Sequence, residues 1–258
     1  MTTPVLAVKR LTVRFGGLVA LDGLDFELCA GEFVGLIGPN GSGKTTFFNA
    51  LTGIYVPAEG SVVVSGKDIT GLRPQRIYDI GITRTFQRLR LAPKLSVFDN
   101  LMIGNHRNLD QGIVTNFFAR QRLKRQIKVN IEQSHALLKQ FSAPLASRLF
   151  DPVSQLPMID RRRVEVCRAL VSQPRILLLD EPSAGMTHEE TRALMDDLLA
   201  SRERMPGLAI VLIEHEMGVI ERVTDRCVVL NFGQKIAEGS YRDVANNSRV
   251  RAAYLGGD

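Results

Sequence analysis

The chain has 258 residues, 45% of them hydrophobic and 23% charged, with a formal net charge of +6. That length buries a sizeable core in one or two domains, and the mixture excludes collagen, long coiled coils, disordered tails and small disulfide scaffolds. Apolar runs such as 208–213 are too short to span a bilayer, and no long apolar stretch precedes Lys9, Arg10 and Arg14, so no signal peptide is expected. Cys29, Cys167 and Cys227 lack CxxC spacing, which argues against a zinc site or disulfide framework and for a reducing cytosol. The basic excess suits phosphate ligands or an anionic membrane surface without requiring either.

In chain order, Leu6–Phe15 alternates as a strand, and 26–28 and 32–37 read as two more. A Gly-rich loop comes next, then a helix over 44–52. Residues 60–64 and 82–86 read as short strands. From 96 to about 140 the pattern is helical, with a basic run over 120–128, and Pro144 and Pro152 break up the stretch beyond it. A helix is expected over 161–172, a buried strand over 175–180, a helix over 188–203 and a second buried strand over 208–213. A short helix at 216–222 leads to a hairpin of 226–231 and 234–238, with Gly233 near its turn. Continuous apolar strands alternating with helices imply a parallel sheet covered on both faces. The antiparallel-looking pieces near both termini imply a β-subdomain, and 96–155 reads as a helical insertion. There is no internal repeat and no linker.

Two motifs carry chemistry. Gly38-Pro39-Asn40-Gly41-Ser42-Gly43-Lys44-Thr45 fits GxxxxGK[ST] between a strand and a helix, the context in which it cradles phosphate. Its glycines let backbone N–H groups turn inward, and the helix N-terminus adds positive potential. Lys44 can reach β- and γ-phosphates, and the Thr45 hydroxyl can ligate Mg²⁺. Downstream, the strand 175–180 ends in Asp180 and Glu181. The first carboxylate suits Mg²⁺ and the second suits orienting or deprotonating the attacking water.

Further segments carry a resemblance to the nucleotide-binding subunits of ATP-binding-cassette transporters over nearly the whole chain. They are Val13-Arg14-Phe15-Gly16, Thr85-Phe86-Gln87 and Leu212-Ile213-Glu214-His215. The resemblance implies an α/β fold: a RecA-like P-loop NTPase core with a mainly parallel sheet, an N-terminal antiparallel β-subdomain and a helical lobe. It implies one cassette domain over 1–258, with 1–95 and 173–258 as core and 96–172 as helical lobe. It implies ATP and Mg²⁺ as ligands. Phe15 would stack on adenine, its other reading being a core Phe at a strand end, and the loop from Gly38 through Thr46 would hold phosphate. Thr45, Gln87 and Asp180 would hold the metal, and Glu181, His215 and Gln87 would act in hydrolysis.

Within that family the chain is similar to the branched-chain amino acid importer group, on Phe47-Phe48-Asn49, 82–87, Asn100-Leu101-Met102, 181–185 and Ala253-Tyr254-Leu255-Gly256. The resemblance implies membrane permease partners, a separate solute-binding protein and a peripheral location at the cytoplasmic face of the inner membrane. An exporter ATPase of the lipopolysaccharide-export type and a weakly hydrolytic regulatory subunit are the alternatives. No nucleic-acid partner is expected: the basic run Arg120, Arg122, Lys124, Arg125 and Lys128 reads as a solvated helix face.

The chain departs from the family's LSxGQ signature. The aligned stretch begins Leu156-Pro157-Met158-Ile159-Asp160, so Pro157 replaces the serine and Ile159 a glycine. Proline has neither hydroxyl nor N–H to offer a phosphate. Thr187 stands where Asp or Asn is usual. These changes favour pairing with a second, different cassette over self-pairing. Arg161–Arg163 are expected to line the surface of the helical lobe, with replacement of the lost phosphate contacts as the alternative.

Overall fold

The computed structural model describes residues 3–108 and 120–255. The strands in chain order are β1 (Leu6–Phe15), β2 (Leu18–Leu28), β3 (Phe33–Ile37), β4 (Glu59–Val64), β5 (Lys67–Asp68), β6 (Ile82–Arg84), β7 (Ile176–Asp180), β8 (Ala209–Ile213), β9 (Arg226–Asn231) and β10 (Gln234–Gly239). The helices are α1 (Lys44–Leu51), α2 (Pro74–Ile80), α3 (Val97–Gly104), α4 (Arg120–Phe141), α5 (Ala143–Ala146), α6 (Met158–Leu170), α7 (His188–Arg204), α8 (Met217–Val223), α9 (Tyr241–Asn246) and α10 (Ser248–Leu255).

The chain divides into two compact units. The first takes the segment ending at Arg84, Arg175–Pro182 and the segment from Arg202 onward. It holds two sheets. One is antiparallel in the order β2-β1-β4-β5. The other runs β10-β9-β3-β8-β7-β6 and is parallel except for the β9–β10 hairpin. Every residue of β3, β7 and β8 is buried, as strands covered on both faces require. Phe232 and Gly233 both have positive φ at the hairpin's two-residue turn, the form that matches strand twist.

The strand expected at 26–28 is the end of a longer one. β2 starts at Leu18, and register shifts against β1 together with Gly23 at φ +59 break the alternation that would have marked its first half. The strand expected over 82–86 stops at Arg84. The helix expected from 161 begins at Met158, with Pro157 at its cap position.

The second unit takes Thr85–Pro174 and Ser183–Ser201. α3 opens on a reciprocal capping box between Ser96 and Asp99. Val97, Leu101, Leu138, Phe141, Leu145 and Val164 are buried within this unit. The helical pattern expected over 96–140 resolves into α3 and α4, and its stretch 109–119 lies outside the described residues. Arg122, Lys124, Arg125 and Lys128 are exposed, and Lys128 pairs within its own helix with Glu132 at 3.9 Å, as a solvated face predicts. Arg162 and Arg163 overturn the surface expectation for their triplet. Arg162 is 2% exposed and pairs with Glu165 at 2.9 Å, while Arg163 is held by Asp197 at 2.9 Å and Asp160 at 3.2 Å. Arg161 donates to the carbonyls of Leu156 and Ser154, both at 2.8 Å. All three guanidinium groups are therefore engaged within the chain.

Candidate active site

β3 ends at Ile37 and delivers the chain into the loop 38–43 before α1 begins at Lys44. The loop depends on its glycines. Gly38 has φ +149, and a Cβ there would lie 2.1 Å from the Leu230 carbonyl oxygen. Gly43 has φ +106, and its Cβ would meet the Ala20 carbonyl oxygen at 2.8 Å. Only residues without a side chain fit so close a backbone approach. The loop is tied from outside as well: Gly233 N–H donates to the Ser42 carbonyl at 3.0 Å, and the Tyr254 hydroxyl accepts from Gly38 N–H.

Lys44 is buried, and its ammonium donates to the carbonyls of Gly38 at 2.7 Å and Pro39 at 2.9 Å. Burial lowers its pKa, and the nearby carboxylates of Glu181 and Asp180 oppose that shift. The Ser42 hydroxyl is buried with no hydrogen-bond partner. A buried donor without an acceptor is costly, so this hydroxyl and the glycine-lined cradle fit an anionic ligand such as phosphate.

The loop opens on a cleft of about 380 Å³ lined by Asn40, Gly41, Ser42, Gly43, Lys44, Thr45, Thr46, Phe15, Glu181 and His215. Glu181 and His215 arrive from the C-terminal ends of β7 and β8, the edge at which parallel sheets place ligands. His215 Nε2 and Glu181 Oε1 are 2.7 Å apart. Glu181 takes φ +47, a strained backbone for a non-glycine residue, and its N–H donates to the Ile213 carbonyl at 2.9 Å. Phe15 is 43% exposed, with its ring edge-to-face against Tyr55 at 4.9 Å, so it is not a core Phe.

Asp180 is bound by a residue that sequence reasoning passed over. Arg84 Nη2 donates to Asp180 Oδ2 at 2.6 Å, and Arg84 Nη1 donates to Asn49 Oδ1 at 2.6 Å. Both side chains of the ion pair are 5% exposed. The pairing arises because β6 and β7 are parallel neighbours, which a local pattern cannot reveal. Phe232 was also missed. It lines the cleft and is 85% exposed, and its signal was an aromatic beside Gly233 at a hairpin turn.

Gln87 belongs to the second unit, where its carbonyl accepts from Arg162. In the same unit Pro157 caps α6 without a side-chain hydrogen bond. Thr187 has a local reason: its hydroxyl accepts from Glu190 N–H at 3.2 Å and its N–H donates to Glu190 Oε2 at 2.9 Å, a capping box opening α7. The oxygen donors of Thr45 and Asp180 are of the kind that suits Mg²⁺.

Comparisons with known proteins show the family. The family model described as ABC transporter matches residues 21–184, and that described as branched-chain amino acid ATP-binding cassette transporter matches residues 234–258. The high-affinity branched-chain amino acid transport ATP-binding protein LivG of Escherichia coli K12 is 38% identical, with 99% of each chain covered. Its counterpart BraF of Pseudomonas aeruginosa is 36% identical, also over 99% of each. Among solved structures, the ADP conformation of MJ1267, an ATP-binding cassette of an ABC transporter, superposes with a TM-score of 0.84 at 28% identity, covering 99% of this chain and 100% of that one. With a glycine-lined loop at the end of β3, a carboxylate–imidazole pair beyond the ends of β7 and β8, and full-length relatives of one kind, the chain belongs to the ATP-binding-cassette transporter family, as one of its nucleotide-binding ATPase subunits.

Proposed function

We propose that the chain binds Mg-ATP in the cleft beside Lys44 and hydrolyses it to drive a membrane transporter for branched-chain amino acids or a related small polar solute. The observation that carries this reading is the Glu181–His215 pair, 2.7 Å apart, in the same cleft as the phosphate loop. Backbone N–H groups of Gly38–Thr46 and the Lys44 ammonium hold the phosphates, and Phe15 offers its exposed ring to adenine. Glu181 orients the attacking water and accepts its proton, while His215 steadies that carboxylate and faces the γ-phosphate. Thr45, Asp180 and Gln87 would hold Mg²⁺, which when bound neutralises charge on the β- and γ-phosphate oxygens.

The full-length relatives are branched-chain amino acid transport proteins, which disfavours the lipopolysaccharide-export reading. The intact Glu181–His215 pair disfavours a merely regulatory subunit. Among the described residues no helix is long and apolar enough to cross a membrane. A peripheral position under permease subunits, at the cytoplasmic face, accords with the proposed role, as does supply of solute by a separate binding protein.

The partner is a second, different cassette. Where two cassettes close head to tail, each ATP lies between one phosphate loop and the other subunit's signature. Pro157 offers that ATP no hydroxyl and no N–H, and Arg161–Arg163 are spent on internal contacts. A lost transition-state donor costs about 3–4 kcal/mol. The purified chain alone should therefore show little ATPase. Adding the second cassette should restore it through the site built on Lys44, and Lys44→Ala should remove most of that activity. Strong turnover by the chain alone, or full activity of the Lys44→Ala pair, rejects the proposal.

A further inference from the structure

The second unit contains a network that none of these roles uses. Arg162 Nη1 donates to Glu165 Oε2 at 2.9 Å. Its Nη2 donates to two backbone carbonyls, those of Gln87 at 3.0 Å and Ala184 at 3.3 Å. The same helix, α6, grips the residues just past Gln87. Glu165 Oε1 accepts from Arg90 N–H at 3.3 Å, Arg168 Nη1 donates to the Arg90 carbonyl at 2.6 Å, and the Arg90 guanidinium lies 4.0 Å from the centre of the Phe86 ring. On the other side, Ala184 sits in a turn closed by the Met186 N–H and the Ser183 carbonyl at 3.0 Å, three residues after Glu181.

A buried ion pair adds little stability over apolar residues of the same volume. What the guanidinium adds is a rigid planar fork that can hold acceptors from separate chain segments at once. One nitrogen here serves two carbonyls that are distant in sequence. A shift of either carbonyl beyond hydrogen-bond range breaks a charge-assisted contact in a dry environment, unless the other carbonyl and the helix move with it.

We infer that Arg162 is a positioning residue that makes the Gln87 segment and the Ala184 segment respond as one to the state of the nucleotide site. The inference rests on the proposed roles of Gln87 and Glu181. It assigns to Arg162 a relay between the residue that would sense the metal and the loop that leaves the catalytic carboxylate.

Hydrogen exchange of the purified full chain, with and without Mg-ATP, tests it. In the wild type, Mg-ATP should slow exchange over 86–90 and over 183–186 by similar factors. In Arg162→Lys, which keeps the charge and loses the fork, the two factors should separate by about tenfold, the worth of one charged hydrogen bond. The inference is overturned if Arg162→Lys, folded as judged by its thermal midpoint, keeps the two responses matched. It is equally overturned if the wild type protects one segment without the other, a comparison that stands even where the variant does not fold. If Mg-ATP slows no exchange anywhere, including over 38–46, the nucleotide-site reading fails first and the inference falls with it.

Discussion

Replacing Arg84 with Met would remove the guanidinium that pairs with Asp180 while roughly keeping the side chain's volume. The two groups meet at 2.6 Å with each side chain 5% exposed, so no water stands ready to replace the guanidinium. Removing one partner of a buried pair typically costs about 3–5 kcal/mol. The Asn49 Oδ1 acceptor loses its 2.6 Å donor at the same time, adding about 1 kcal/mol. At about 2–4 °C per kcal/mol for a chain of this size, the thermal midpoint should fall by about 10 °C or more. Scanning calorimetry of the purified chain without nucleotide reads this directly. The double variant Arg84→Met/Asp180→Asn should recover part of the loss, because neither charge remains buried, with a coupling of about 0.5–3 kcal/mol. A single-variant loss below about 1 kcal/mol would place the pair among weak surface-like bridges and refute the reasoning. Strict additivity in the double variant would do the same.

Glu181→Gln should leave ATP affinity intact and slow hydrolysis by about a hundredfold or more, since the geometry stays and the base is lost. Turnover within about threefold of wild type in the assembled complex would remove Glu181 from the general-base role. Gly38→Ala should abolish nucleotide binding or prevent folding, because its Cβ would sit 2.1 Å from the Leu230 carbonyl oxygen at φ +149. An alanine variant that folds and binds ATP normally by calorimetric titration would show that the loop does not need this close approach.

The legible parts of the sequence were those whose signal is local. The apolar runs of β7 and β8 announce buried parallel strands, and the phosphate loop is read from eight consecutive residues. Glu181 and His215 were found because each stands directly or almost directly after such a run. Short or irregular elements escaped. The first half of β2 carries Asp22 and Gly23 where alternation should continue, and α2 buries only Ile77, too little for a helical period. α9 and α10 are likewise short and were not foreseen. The roles of Arg84 and Arg162 were beyond local reading for a different reason. Each is defined by partners far along the chain, Asp180 for one, Gln87 and Ala184 for the other, and only the topology brings them together. A triplet of arginines reads as surface until the buried acceptors around it are known.

The ties on the phosphate loop also order the protein's birth. β3, which leads into the loop, is flanked by β8 and β9, both of which follow β7 in the chain. The loop itself is braced by Gly233 and, through Gly38, by Tyr254, both far later in the chain than the loop. A ribosome therefore releases the nucleotide-binding motif well before it can supply the supports of that motif. During that interval β3 has neither neighbour to pair with, and its apolar residues Phe33, Val34, Leu36 and Ile37 must wait uncovered. The nascent chain should then depend on shielding by chaperones until α10 emerges, and competence to bind ATP should appear abruptly once Tyr254 is free of the ribosome rather than grow with length.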